Sequence, residues 1–97
     1  MTAPLHALYV WKLSKELSKD YESVQTNVEL SNRRRVLAEI DILAEKDGEV
    51  HVYEVKKSYR PTKAREQFRR IRKHYAGSIS KFYLYCAEAD MLIELSV

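Results

Sequence analysis

Glycine and proline are nearly missing from this chain of 97 residues, two of each. Long irregular segments are therefore excluded, and regular elements joined by short connections are expected. A single cysteine, Cys86, rules out an internal disulfide. It falls in the apolar run Phe82 to Ala87, which predicts a buried, inert thiol in a reducing compartment. No apolar stretch approaches the ~20 residues needed to span a bilayer. The N-terminus has no charged segment followed by an apolar one, so no signal peptide and no membrane association are expected, and the location is expected to be cytoplasmic. Histidines number three, His6, His51 and His74. They are scattered and, with one cysteine, do not compose a zinc site, so no role is assigned to them. There is no glycine-rich phosphate loop, no Ser-His-Asp set, no repeat and no low-complexity run. The length suits one domain, residues 1–97, with one compact core.

What the chain does have is positive charge in one place. Net charge is only +3, but Lys56, Lys57, Arg60, Lys63, Arg65, Arg69, Arg70, Arg72 and Lys73 gather nine of the seventeen basic residues in one stretch that Glu66 alone opposes. Arg33, Arg34 and Arg35 form a second cluster. Charge concentrated in this way suits a phosphate backbone, although a charged helix face is commonly just a solvated one.

Periodicity supplies the elements. Thr2 to about Asp20 predicts a helix, with Thr2 as cap, Pro4 in the first turn, and an apolar stripe of Leu5, Tyr9, Leu13 and Leu17 that also contains Glu16. Ser23 to Leu30, Arg35 to Glu45 and Glu49 to Lys57 predict strands, the last two joined by a hairpin turn at Asp47-Gly48. Pro61 to Ala76 predicts a second helix with Ala64, Phe68, Ile71 and Tyr75 inward and Gly77 closing it at C′. Ser80 to Ala87 and Met91 to Val97 predict two further strands about a turn at Glu88 to Asp90. The expected fold class is α/β, a mixed sheet flanked by helices in the order α-β-β-β-α-β-β.

The hairpin carries the chemistry. Alternate residues of a strand share a face, which pairs Glu54 with Lys56 and Glu39 with Asp41. A turn at Asp47-Gly48 brings Asp41 opposite Glu54. Ile40, Ile42, Val50, Val52 and Val55 imply a sheet covered on both sides, where two adjacent carboxylates repel each other and lose hydration. A divalent cation such as Mg²⁺ or Mn²⁺ resolves that conflict, taking two carboxylates and a main-chain carbonyl, that of Val55, and retaining waters. It would activate a water and stabilise a phosphate under attack, while Lys56 positions or deprotonates that water.

The stretch AEIDILAEKDGEVHVYEVKK resembles the core of the PD-(D/E)XK, or restriction-endonuclease-like, nucleases: an acid on one strand, a hairpin, then Glu-X-Lys on the next. Asp41 matches the first acid and Glu54-Val55-Lys56 the second motif. The layout looks most like the archaeal Holliday junction resolvases and covers roughly Leu5 to Leu84. The resemblance implies a restriction-endonuclease-like fold, an Mg²⁺-dependent endodeoxyribonuclease acting on branched or structured DNA, and a homodimer. It also implies a further metal-binding glutamate on the first helix, for which Glu16 is best placed while Glu22 and Glu29 stay open, and an orienting Gln67 on the second helix. Near such a core, Arg33, Arg34, Arg35, Lys57, Tyr59, Arg60, Lys63 and Arg69 would contact DNA. Ile40 stands where the family carries proline before the acid, and the chain is shorter than most members. A non-catalytic DNA-binding module and a protein-interaction domain are the competing expectations.

Overall fold

The structure is a computed structural model and describes residues 3–97. Helix α1 (Pro4–Leu17) precedes three strands, β1 (Ser23–Ser31), β2 (Val36–Lys46) and β3 (Glu49–Lys56). Helix α2 (Pro61–His74) leads to β4 (Lys81–Cys86), a short 3₁₀ turn at Ala87–Ala89 and β5 (Met91–Leu95). The sheet order follows the chain, β1-β2-β3-β4-β5. Only β3 and β4 run parallel, which is why the long α2 crossover lies between them and hairpins or short turns suffice elsewhere. The expected α/β class and α-β-β-β-α-β-β order are those observed.

The β2–β3 turn shows how strongly a local signal sets register. Asp47 and Gly48 both have positive φ, 51° and 75°, the backbone of a two-residue turn whose twist matches the flanking strands. Lys46 therefore pairs with Glu49, and the ladder runs regularly to Ile42 and Tyr53. The other helix ending differs from expectation. Helix α2 stops at His74, and Tyr75 turns to an extended conformation (φ −75°, ψ 131°) while donating to the Ile71 carbonyl at 2.8 Å. Gly77 is thus not the C′ residue. A side chain there would meet the Tyr75 ring at 3.0 Å, so close approach is what the position requires.

Two cores sandwich the sheet. On the α2 side, Ala64, Phe68 and Ile71 pack on Ala38, Ile40, Leu43, Val52, Phe82 and Leu84, with Cys86 buried among them. On the α1 side, Val10 packs on Ile42, Ala44, Tyr53 and Val55. Strand β3 is buried continuously from His51 to Val55, as expected for a strand covered on both faces.

Helix α1 is rotated relative to its sequence stripe. Its buried residues are Val10 and Ser14, with Tyr9, Leu13 and Leu17 at the border and Leu5 exposed. The small Ser14, whose hydroxyl bonds back to the Trp11 carbonyl at 2.7 Å, lets the helix lie close to the sheet. The expected Thr2 cap lies outside the described residues, and Ala3 occupies the N-cap position. No described helix is long and apolar enough to cross a membrane.

Candidate functional site

The alternation of β2 breaks at Asp41. Ala38 and Ile40 face α2, whereas Ile42 and Ala44 face α1. The same change of phase occurs in β1, where Val28 packs toward α2 and Val24 toward α1. Between them Asn27 adopts φ 54°, a left-handed conformation that asparagine tolerates, in the register position across from Asp41. Asp41 consequently belongs to neither face, and it does not share one with Glu39 as strict alternation predicts. It sits where the β2–β3 ladder ends.

That ending frees backbone groups for the site. Continued register would set Val55 against Ile40, but the strands separate beyond Ile42 and Tyr53. The Val55 N–H donates instead to Asp41 Oδ2 at 2.9 Å. The Val55 carbonyl accepts from His6 Nε2 at 3.0 Å, and the same nitrogen stands 3.3 Å from Asp41 Oδ2. One residue thus offers an N–H and a carbonyl to the gap, each matched by a side chain rather than by the neighbouring strand.

On the α2 side of this gap lies Glu54, only 6% exposed. Burial, and then the charge of Asp41, push its carboxyl up to about 8, against which the ammonium of Lys56 works in the opposite direction. Lys56 Nζ is 3.4 Å from Glu54 Oε2 and remains partly open to solvent. Near neutral pH the Asp41–Glu54 pair accordingly retains a proton beside a lysine. Gln67 faces the same cleft of about 260 Å³ as Glu54 and Lys56. It is fixed at both ends of its amide, donating to the Glu39 carbonyl at 2.6 Å and accepting from Arg70 at 2.9 Å.

The structure thus brings Asp41, Glu54, Lys56, Gln67 and the Val55 carbonyl together. It does not bring Glu16. That side chain is exposed, pairs with Lys19 at 3.2 Å, and borders a different depression, with Tyr85 and Leu92. Neither alternative replaces it: Glu22 accepts from the Asp47 N–H at the hairpin turn, and Glu29 is an exposed residue of β1 paired with Glu39. The helix-borne group at the site is His6. Its signal in the sequence was the spacing His6, Val10, Ser14, one residue out of step with the leucine stripe, which small Ser14 made easy to overlook.

Among the expected DNA contacts, Lys57, Arg60 and Lys63 border a depression of about 400 Å³ adjoining Lys56. Arg35 and Arg69 line a larger one of about 500 Å³. Arg33 and Arg34 are exposed in the β1–β2 turn, where Asn32 Oδ1 accepts from the N–H groups of Arg34 and Arg35. Tyr59 is exposed and packs in neither core.

As a cation site the donor set fits in kind: an imidazole nitrogen, two carboxylates and a main-chain carbonyl at one gap, with a carboxylate whose ionisation is suppressed until something offsets its charge. Among the described residues, no three His, Cys, Asp or Glu side chains as they stand form a group that could hold a metal ion. His6 Nε2–H is donated to Val55 O and must be relinquished before that nitrogen can ligate.

No protein-family model matches the chain, and no curated protein matches it. A solved structure described as a protein of unknown function, AF1548, is similar, with a TM-score of 0.58 and 20% identity over 84% of this chain. The chain covers 46% of that protein. A likeness at this identity shows a shared fold.

Proposed function

We propose that this chain is a divalent-cation-dependent DNA endonuclease of the PD-(D/E)XK kind, using Mg²⁺ or Mn²⁺. One observation carries the reading: a nearly inaccessible glutamate beside a second carboxylate and a lysine, at a point where the ladder opens and a main-chain carbonyl turns into the gap. A fold gains no stability from a buried carboxylate set beside a half-buried one, the two competing for one proton, so the arrangement calls for a cation.

Asp41, Glu54, the Val55 carbonyl and His6 would hold the ion. Once bound, it would supply Lewis-acid stabilisation of a phosphodiester under attack and acidify a water. The protein groups divide the remaining work. Glu54 would hold the ion as a carboxylate, and His6 would ligate through Nε2 with its ring hydrogen on Nδ1. Lys56, half-open to the cleft, aligns or deprotonates the attacking water and offsets charge growing on the phosphate. Gln67, locked between Glu39 and Arg70, holds the α2 wall of the cleft at a fixed distance from Lys56. The basic depressions to either side hold the DNA backbone. Branched or structured DNA as substrate and a homodimer rest on the family resemblance; β5, an edge strand with Met91 and Leu92 exposed, offers a surface for the latter.

The test is cleavage of four-way junction, flap, nicked, linear duplex and single-stranded DNA with Mg²⁺, Mn²⁺ or EDTA, comparing wild type with Asp41→Asn. Cutting that needs the cation and drops at least ~10²-fold in the variant is expected. A protein that binds DNA in a salt-sensitive way, cuts no form and is indifferent to Asp41→Asn is instead the non-catalytic module.

A further inference from the structure

A second basic depression lies away from the Asp41–Glu54 gap. It has a volume of about 500 Å³ and is lined by Arg35 from the β1–β2 turn and by Arg69, Arg70, Lys73 and His74 from the second half of α2. No carboxylate lines it, and among the described residues none of these four Arg and Lys side chains takes part in an ion pair. Arg70, Lys73 and His74 are three and four positions apart on one helix face, where like charges raise the energy of the helix. Cations near a helix C-terminus are favoured by its dipole, which accounts for basic residues in the last turn. The dipole does not account for Arg35, which comes from another element and adds to the same unpaired charge.

Arg70 also lines the cleft that holds Glu54, Lys56 and Gln67, so the depression and the cleft meet at one side chain. From Gln67 to Lys73 or His74, α2 rises about 10 Å. At 3.4 Å per nucleotide that offset is about three nucleotides. Resting on the nuclease reading above, we infer that this depression is a second phosphate subsite, which grips the backbone of the DNA about three nucleotides from the bond to be cut. It sets the position of the strand along α2 and carries no base specificity, since its groups are cations suited to phosphate oxygens. Arg65 and Arg72 lie on the other side of α2, where they donate to the Ser96 and Val97 carbonyls and take no part in it.

That division supplies the test. Binding of a short labelled DNA duplex is measured in EDTA over a series of salt concentrations for wild type, R35Q/K73Q and R65Q/R72Q. The two variants lose the same charge, and circular dichroism checks that each is folded. Each lost phosphate contact lowers the slope of log K against log salt by about 0.9, so R35Q/K73Q is expected to lower it by about 2 and to weaken binding roughly tenfold. R65Q/R72Q is expected to keep the wild-type slope. Equal slopes for the two variants would overturn the subsite. Cleavage by the same wild-type preparation keeps the two readings apart. If it cuts DNA and the variants bind alike, the subsite alone falls. If it cuts nothing yet the slopes separate, the nuclease reading and the spacing to a cut bond fall, and the phosphate grip of this depression stands.

Discussion

Strand β3 carries a buried polar cluster at each end, and the two are built on opposite terms. At the hairpin end every group has a partner. His51, 4% exposed, donates through Nε2 to Glu49 at 2.8 Å and accepts at Nδ1 from the Tyr21 hydroxyl at 2.6 Å. The Tyr21 oxygen in turn accepts from Tyr53, whose ring stacks on Tyr83 at 4.8 Å. Burial pushes both phenols up, further for Tyr53, and the hydrogen bond to His51 holds the Glu49 carboxyl below its usual value. The Glu49 carboxylate stays at the rim, and the phenols and imidazole inside each have a polar partner. At the other end, a few residues along, two carboxylates and an ammonium are brought inward and one carboxylate keeps its proton to make this tolerable. A buried network with every valence met lowers the energy of the fold. A buried cluster left in conflict raises that energy, and the proposed cation would relieve it.

The sharpest way to break that contrast is through α1. His6 touches the conflicted end and Glu16 does not. His6→Ala is expected to lower metal-dependent DNA cleavage by ~10²-fold, as loss of a ligand or its support does, whereas Glu16→Gln leaves it unchanged. Comparable losses from both would return the helix-borne role to Glu16.

A second contrast concerns pH. The Glu54 carboxyl is raised from 4.5 to about 8 by folding. Below the lower value it is protonated in both states and costs nothing. As pH rises, the unfolded chain releases the proton while the folded chain keeps it, so stability falls through this window and levels off above about 8. The cost is on the order of a few kcal/mol. Melting temperature in EDTA should therefore decline over this range, and Glu54→Gln should remove the decline. Parallel curves for the two proteins would mean that Glu54 ionises normally.

The smallest effect belongs to the satisfied end. Tyr21→Phe strands His51 Nδ1 and the Tyr53 hydroxyl, and is expected to cost about 1–3 kcal/mol of stability measured by denaturant unfolding. Per-molecule cleavage should not change. A loss of cleavage in the folded variant would show that the two ends of β3 are not independent.

Much of this was legible in the residues. The Asp47-Gly48 turn set the register that runs as far as Ile42 and Tyr53, the neighbours of Asp41 and Glu54, and the Glu-X-Lys spacing put Lys56 with Glu54. Each of these depends on contacts between near neighbours in the chain. His6 was not legible, nor was the change of phase at Asp41. The leucine stripe pointed Leu5 and Glu16 inward because it weighed hydrophobicity alone, while the sheet accepted the face with the smallest side chain. Asn27 lies fourteen residues from Asp41, and nothing near either of them announces that both strands turn over together.

By itself, then, the sequence determined the order of elements, the hairpin register and the concentration of basic residues on α2, all consequences of local turn chemistry and period. Only the tertiary structure decided which side of α1 meets the sheet, and so which residue joins the two carboxylates. One position along a helix is about 100° around it, and that angle is set by close packing of Val10 and Ser14 against β3 and its neighbours, which no local pattern encodes.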